Sequence, residues 1–150
     1  MSEMRELYQE LILDHHRQPR NFGILENANH RSEGYNPLCG DRVTMYVIVD
    51  GDVIKDVSFE GSGCAICMAS TSVMTGEIKG KTLAEVTVLF GRFHDLLTGG
   101  PDETPNTDGL GKLVVFHGVR EYPVRVKCAT LPWHTLKAAL ENSDEPTTTE

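Results

Sequence analysis

No apolar run in this 150-residue chain approaches the roughly 20 residues that a helix needs to cross a bilayer. Positive charge is scarce: 14 Lys and Arg stand against 22 Asp and Glu, for a net charge of −8. That balance argues against non-specific nucleic-acid binding, which needs a basic face to displace counterions from phosphates. It also gives no reason to expect an anionic membrane surface as partner. The stretch from Met1 to Glu10 has three acidic residues and lacks the basic start and apolar core of a signal peptide. The expected location is therefore the cytoplasm. Internal repeats, low complexity and a proline or glycine excess are missing as well. With 39% hydrophobic and 24% charged residues, the chain reads as one ordinary domain, residues 1–140, large enough to bury a core without covalent staples. The polar tail, 141–150, is expected to be disordered.

Cysteine is the scarce residue with the most to say. There are four, at positions 39, 64, 67 and 128. In an unsecreted chain of this size they read poorly as a disulfide framework and better as metal ligands or reactive thiols.

What is present is an alternation of helical and strand-like patterns. Met4, Leu7, Tyr8, Leu11 and Ile12 fall at helical spacing and predict an amphipathic helix over Glu3 to His16, ended by Pro19 and the Asn21-Phe22-Gly23 turn. His15 and His16 close that helix, where a solvated imidazole suits the C-terminal dipole. Asn27 to Pro37 is polar and punctuated by Pro and Gly, and reads as a loop. Arg42 to Val49 and Val53 to Phe59 read as strands joined at Asp50-Gly51, a dipeptide that tolerates a tight hairpin. After the Gly61-Ser62-Gly63 elbow, Ile66, Ala69, Val73 and Met74 predict a helix from about Cys64 to Ile78. Thr82-x-x-Glu85 is a capping-box signature. It opens a helix with the stripe Leu83, Val86, Leu89/Phe90, Phe93 and Leu96/Leu97. Thr98 to Gly111, with four glycines and two prolines, reads as a surface excursion. A last helix starts near Pro123 and carries Val124, Cys128, Leu131, Leu136 and Leu140. Pro132 inside it should bend it and leave the Cys128 carbonyl without its usual donor. The fold class that follows is α+β, a small antiparallel sheet packed against helices.

Cys39-Gly40-Asp41 places two potential anionic ligands two residues apart, with a glycine that lets the backbone bend around an ion. Cys64 stands at a helix start, where free backbone N–H groups and the dipole favour thiolate. Cys128 stands in another helix. Three thiols and a carboxylate beside turns and element ends suit a tetrahedral zinc site. Spacing alone leaves this open, because separations of 25 and 64 residues fit no compact finger and a lone cysteine is often a small buried hydrophobe. Cys64-x-x-Cys67 offers a thioredoxin-like pair instead, without the strand–helix alternation that motif needs. No H-E-x-x-H pattern appears, and His94, His117 and His134 are scattered. Arg42, Arg125 and Lys127 flank the cysteines. They would offset the net charge of about −2 carried by Zn²⁺ with three thiolates and one carboxylate.

Several stretches resemble the U-type proteins of iron–sulfur assembly, the IscU/SufU family, along nearly the whole chain. They are Leu7-Tyr8, Asp14-His15-His16-Arg17-Gln18-Pro19-Arg20-Asn21 and Asn36-Pro37-Leu38-Cys39-Gly40-Asp41-Arg42. Further on come Phe59-Glu60-Gly61-Ser62-Gly63-Cys64-Ala65-Ile66, Ala69-Ser70, Ile78-Lys79-Gly80-Lys81 and Arg125-Val126-Lys127-Cys128-Ala129-Thr130-Leu131. The scaffold branch typically has histidine before its last cysteine and no long excursion upstream. Lys127 and the Thr98 to Gly111 insertion look instead like the SufU branch. The resemblance implies a zinc-dependent sulfurtransferase with Cys39, Asp41, Cys64 and Cys128 as metal ligands at an exposed end of the fold. It implies a SufS-type, PLP-dependent cysteine desulfurase as partner, with cluster-assembly proteins downstream. In that mechanism the desulfurase supplies a histidine to the zinc, Cys39 is released, and its sulfur attacks the partner's persulfide. An iron–sulfur cluster on the same ligands, or a purely structural zinc, are the other readings. Cys67, where the branch is expected to have serine, and Pro132 depart from the pattern without removing a ligand.

Overall fold

The computed structural model describes residues 2–99, 107–141 and 147–148. Helix α1 (Ser2–Arg17) precedes strands β1 (His30–Asn36), β2 (Asp41–Asp50) and β3 (Val53–Ser62). Helices α2 (Ala65–Ile78) and α3 (Leu83–Thr98) follow. A 3-10 segment, Gly111–Glu121, leads into α4 (Pro123–Leu140), and Thr147–Thr148 forms a two-residue strand, β4. Residues 100–106 of the expected excursion, and 142–146 and 149–150 of the expected tail, lie outside the described residues.

The sheet order is β3-β2-β1-β4. The first three strands are antiparallel neighbours, and β4 runs parallel to β1 through Gly34 and Tyr35. The hairpin between β2 and β3 turns at Gly51, whose φ of 66° suits glycine. Val43, Met45 and Val47 of β2 and Val57 and Phe59 of β3 bury one face, against which α4 and α2 pack. This is the α+β architecture the sequence predicts.

Strand β1 corrects the reading of Asn27 to Pro37 as a loop. Its inward positions are Ser32, Gly34 and Asn36, so the apolar alternation that marks a half-buried strand is absent. The physical reason is proximity. A Cβ at Gly34 would collide with the Thr135 hydroxyl and press on Leu131, so the strand needs small side chains where α4 crosses it.

Helix α2 lies in the middle and is buried nearly all round, from Cys67 to Thr75. Its polar residues are buried with partners. Ser70 Oγ donates to the Ala129 carbonyl at 2.6 Å, and Thr71 and Thr75 donate to the carbonyls of Cys67 and Ser72. Helix α3 opens on the predicted capping box, with both reciprocal bonds between Thr82 and Glu85. The 3-10 segment went unanticipated, yet Leu110, Leu113 and Phe116, three residues apart, are fully buried, the period that such a helix puts on one side. Helix α4 continues through Pro132.

Two expectations about side chains are revised. Leu7 and Val124 are exposed rather than in the core. His15 is buried, not solvated: its Nδ1 lies 2.7 Å from Ser72 Oγ, which also accepts the Arg20 N–H. Burial is the main cause that pushes His15, His117 and His134 below the ordinary imidazole range. The folded chain therefore binds fewer protons than the unfolded chain below the free-histidine pKa of about 6.5. Stability is complete above that value and falls as pH drops through it toward the lowered pKa values. Thermal melting of metal-free protein should thus show a lower midpoint at pH 5 than at pH 7.5. His15→Asn should shrink the difference, and an unchanged difference would remove His15 from the account.

Candidate metal centre

Three parts of the chain meet at one end of the sheet. The β1–β2 turn, residues 37–40, carries Cys39, and Asp41 opens β2 directly opposite Asn36. Gly40 has a φ of 70°, and the Cys39 N–H reaches back to the Asn36 carbonyl at 3.3 Å. Cys64 caps α2, its Sγ accepting the Cys67 N–H at 3.4 Å. Cys128 sits in the second turn of α4, fully buried.

The donor atoms of Cys39, Asp41 and Cys128 lie within 4.8 Å of one another, and the Cys39 and Cys128 sulfurs are 3.2 Å apart. Cys64 flanks this trio: its Sγ is 3.9 Å from Asp41 Oδ2, and its N–H donates to Asp41 Oδ1 at 2.8 Å. All four predicted residues thus converge, three tightly and Cys64 at the margin. An open pocket of about 590 Å³ gives access, lined by Cys39, Cys64, Cys128, Tyr122, Val124 and Arg125 among others. Of its lining, Tyr122 and Val124 are more than half exposed, as is Leu38, the neighbour of Cys39 in the β1–β2 turn.

The electrostatics differ from what a helix start alone predicts. Burial pushes the Cys64 thiol above its ordinary range, and the Asp41 carboxylate adds to this, while the Cys67 N–H works the other way. Burial also raises Cys128 strongly, helped by its bonds with Cys39 and Asp41. Crowding of sulfur and carboxylate donors thus favours the protonated forms of Cys64 and Cys128. A divalent ion reverses that preference, because it replaces the protons as the counter-charge. The residues present therefore fit a thiophilic cation of zinc's type. Of the flanking cations, Arg42 and Arg125 are exposed, and Arg125 lies over the Tyr122 ring at 5.4 Å.

Cys67 is fully buried among core residues and its thiol is raised well above the ordinary range, chiefly by burial. Its backbone N–H, which any residue supplies, is its link to Cys64. Cys67→Ser should keep metal content and sulfur acceptance within about twofold, at a stability loss of about 1 kcal/mol for the buried hydroxyl. Cys64→Ser should lose metal. Equal behaviour of the two variants in metal analysis would put Cys67 in the site. Asn36, which sequence reading passed over, contacts both Asp41 and Cys128. Its signal was its place three residues before Cys39, legible only once β1 is recognised.

A metal-ready Cys/Asp cluster on this α+β frame defines a class, and comparison with known proteins places the chain in it. The NifU-like N-terminal domain family matches residues 7–129, and the chain belongs to that family. The zinc-dependent sulfurtransferase SufU of Bacillus subtilis strain 168 is 39% identical over 138 residues, 92% of each chain. The iron–sulfur cluster assembly scaffold protein IscU of Streptococcus pyogenes serotype M1 is 36% identical over 143 residues, 95% of this chain and 88% of its own. Among crystal structures, a candidate iron–sulfur cluster assembly scaffold protein for the SUF system of Fervidobacterium islandicum AW-1 superposes with a TM-score of 0.81. It is 44% identical and covers 87% of this chain and 94% of that one. No helix among the described residues is long and apolar enough to cross a membrane.

Proposed function

We propose that this chain is a zinc-dependent sulfur acceptor that takes persulfide sulfur from a PLP-dependent cysteine desulfurase and passes it toward iron–sulfur cluster assembly in the cytoplasm. The observation that carries this reading is the placement of Cys39, which sits on a turn and lines an open pocket, while Cys64 is anchored as the N-cap of α2 by the Cys67 N–H and Cys128 lies buried within α4. A ligand on a turn moves at lower cost than one fixed in a helix. Lys127, where the scaffold branch has histidine, and the sulfurtransferase relative favour the same reading.

Cys39, Asp41, Cys64 and Cys128 would hold the metal. A bound zinc ion is redox-inert and would keep the thiolates deprotonated yet shielded until a partner displaces one. The chain's own part in sulfur transfer is then simple. The Cys39 thiolate attacks the outer sulfur of the donor persulfide, a Cys39 Sγ–S bond forms, the donor's S–S bond breaks, and the donor cysteine leaves as thiolate. Cys64, Cys128 and Asp41 stay in place, and the exposed Leu38, Tyr122 and Val124 give an incoming protein apolar surface around the opening. SufS-type desulfurases are the partner class this implies.

Protein purified without oxygen is expected to contain about one zinc per chain and no visible chromophore. Elemental analysis with an absorption spectrum checks it. Stoichiometric iron and sulfide would replace the carrier by a scaffold on the same ligands. Zinc without stimulation of a desulfurase would leave a structural module.

A further inference from the structure

Each candidate ligand but one is tied to the chain by an N–H group. Asp41 Oδ1 accepts from the Cys64 backbone at 2.8 Å, and Cys64 Sγ accepts from the Cys67 backbone at 3.4 Å. Asp41 Oδ2 and Cys128 Sγ share a donor, the side-chain amide of Asn36, at 3.3 and 3.4 Å. The Cys39 sulfur has the Cys128 thiol as neighbour and no N–H donor among the described residues.

Asn36 is fully buried at the end of β1, in register with Asp41. Both of its partners are acceptors once they hold a cation, so the NH₂ end must face them. The other end is left stranded: Oδ1 is buried without a hydrogen-bond partner among the described residues. An amide that satisfies only its donor half is a poor choice for stability, since an unpaired buried acceptor is costly. The donor half must therefore supply what justifies the residue. It links ligands from two elements, β2 and α4, that no other side-chain amide joins among the described residues.

We propose that Asn36 is a positioning residue of the metal centre, whose amide ties Asp41 to Cys128 so that both keep their places while Cys39 departs. This rests on the reading of the four residues as ligands and of Cys39 as acceptor. Donors to anionic ligands fix their orientation and offset their mutual repulsion. The absence of such a donor at Cys39 makes it the ligand that leaves.

The test uses Asn36→Asp, the same shape without the donor, and Asn36→Ala, which adds no charge and keeps the Asn36 carbonyl bond to Cys39. Three readouts are zinc affinity by chelator competition, the cobalt–thiolate absorption of cobalt-loaded protein, and the melting of metal-free protein. Both variants should bind zinc about 10–100-fold more weakly and show a weakened, shifted cobalt band. After incubation with desulfurase and cysteine, added sulfur should appear on Cys128 as well as Cys39. The alanine variant should melt, metal-free, within a few degrees of the parent, which a purely structural Asn36 would not permit. Affinity within about twofold of the parent with an unchanged cobalt spectrum, in either folded variant, overturns the inference. Cys128→Ala separates the two levels. If it loses zinc while the Asn36 variants do not, only the role of Asn36 fails. If it binds as the parent does, the ligand reading fails and takes this inference with it.

Discussion

Cys39→Ser is expected to reduce sulfur acceptance and desulfurase stimulation to background, even where Asp41, Cys64 and Cys128 retain some metal. The substitution is nearly isosteric, so the turn should survive: Gly40 keeps its left-handed φ of 70° and the residue 39 N–H keeps its bond to the Asn36 carbonyl. What disappears is the nucleophile. A free cysteine has a pKa of about 8.5, and thiolate character is what attack on a sulfur requires. A serine hydroxyl offers no comparable anion. Mass spectrometry of peptides after incubation with desulfurase and cysteine is the direct assay. In the parent protein, one added sulfur atom should sit on Cys39. Sulfur on Cys64, Cys67 or Cys128, with Cys39 unmodified, would overturn the assignment.

Gly63→Ala should damage the candidate metal centre directly although it replaces no candidate ligand. A Cβ at this position would overlap Asp41 Oδ1 and press on the α-carbon and Cγ of Asp41 at 3.0 and 3.1 Å. The carboxylate cannot yield without losing the Cys64 N–H at 2.8 Å. The Asp41 backbone cannot yield either, because it opens β2 and is paired there with Asn36 of β1. Overpacking of this kind costs about 1–3 kcal/mol, and displacement of a ligand or its support lowers metal affinity by about 10–100-fold. Gly76→Ala is the matched control. It lies exposed on α2, and a Cβ there meets nothing within 4 Å, so it should be neutral or slightly stabilising through helix propensity. Chelator competition and thermal melting on the pair decide the matter. A Gly63→Ala protein that binds metal as the parent does would mean that Asp41 is not needed where the fold puts it.

How much of this was legible in the sequence depends on where the signal resides. The helix after Thr82 could be read because its cap is written in four residues and its stripe in sixteen. The β2–β3 hairpin could be read because Asp50-Gly51 sits between two β-branched runs. Strand β1 could not, since its inward side chains are set by the approach of α4 at Gly34, a proximity that has no local trace. His15 misled for a similar reason: its burial depends on Ser72, 57 positions away. The cysteines and Asp41 were found as residue types, and their meaning came from resemblance rather than from spacing. Asn36 stayed hidden behind the unread strand. Side chains that act through others carry no motif of their own, and only the register of β1 on β2 exposes them.

The ligand set spans most of the chain, with Cys39 and Cys128 touching across a separation of 89 positions. During synthesis the first three donors leave the ribosome while the fourth is still unmade, and α4 must then fold against β1 to deliver it. A chain interrupted before residue 128 can expose thiols but cannot close the site. On the proposed reading, metal loading would be deferred to the finished, folded protein. An ion held there would be a certificate of completeness, one that a sulfur-donating partner of the proposed kind could read before committing sulfur to the chain.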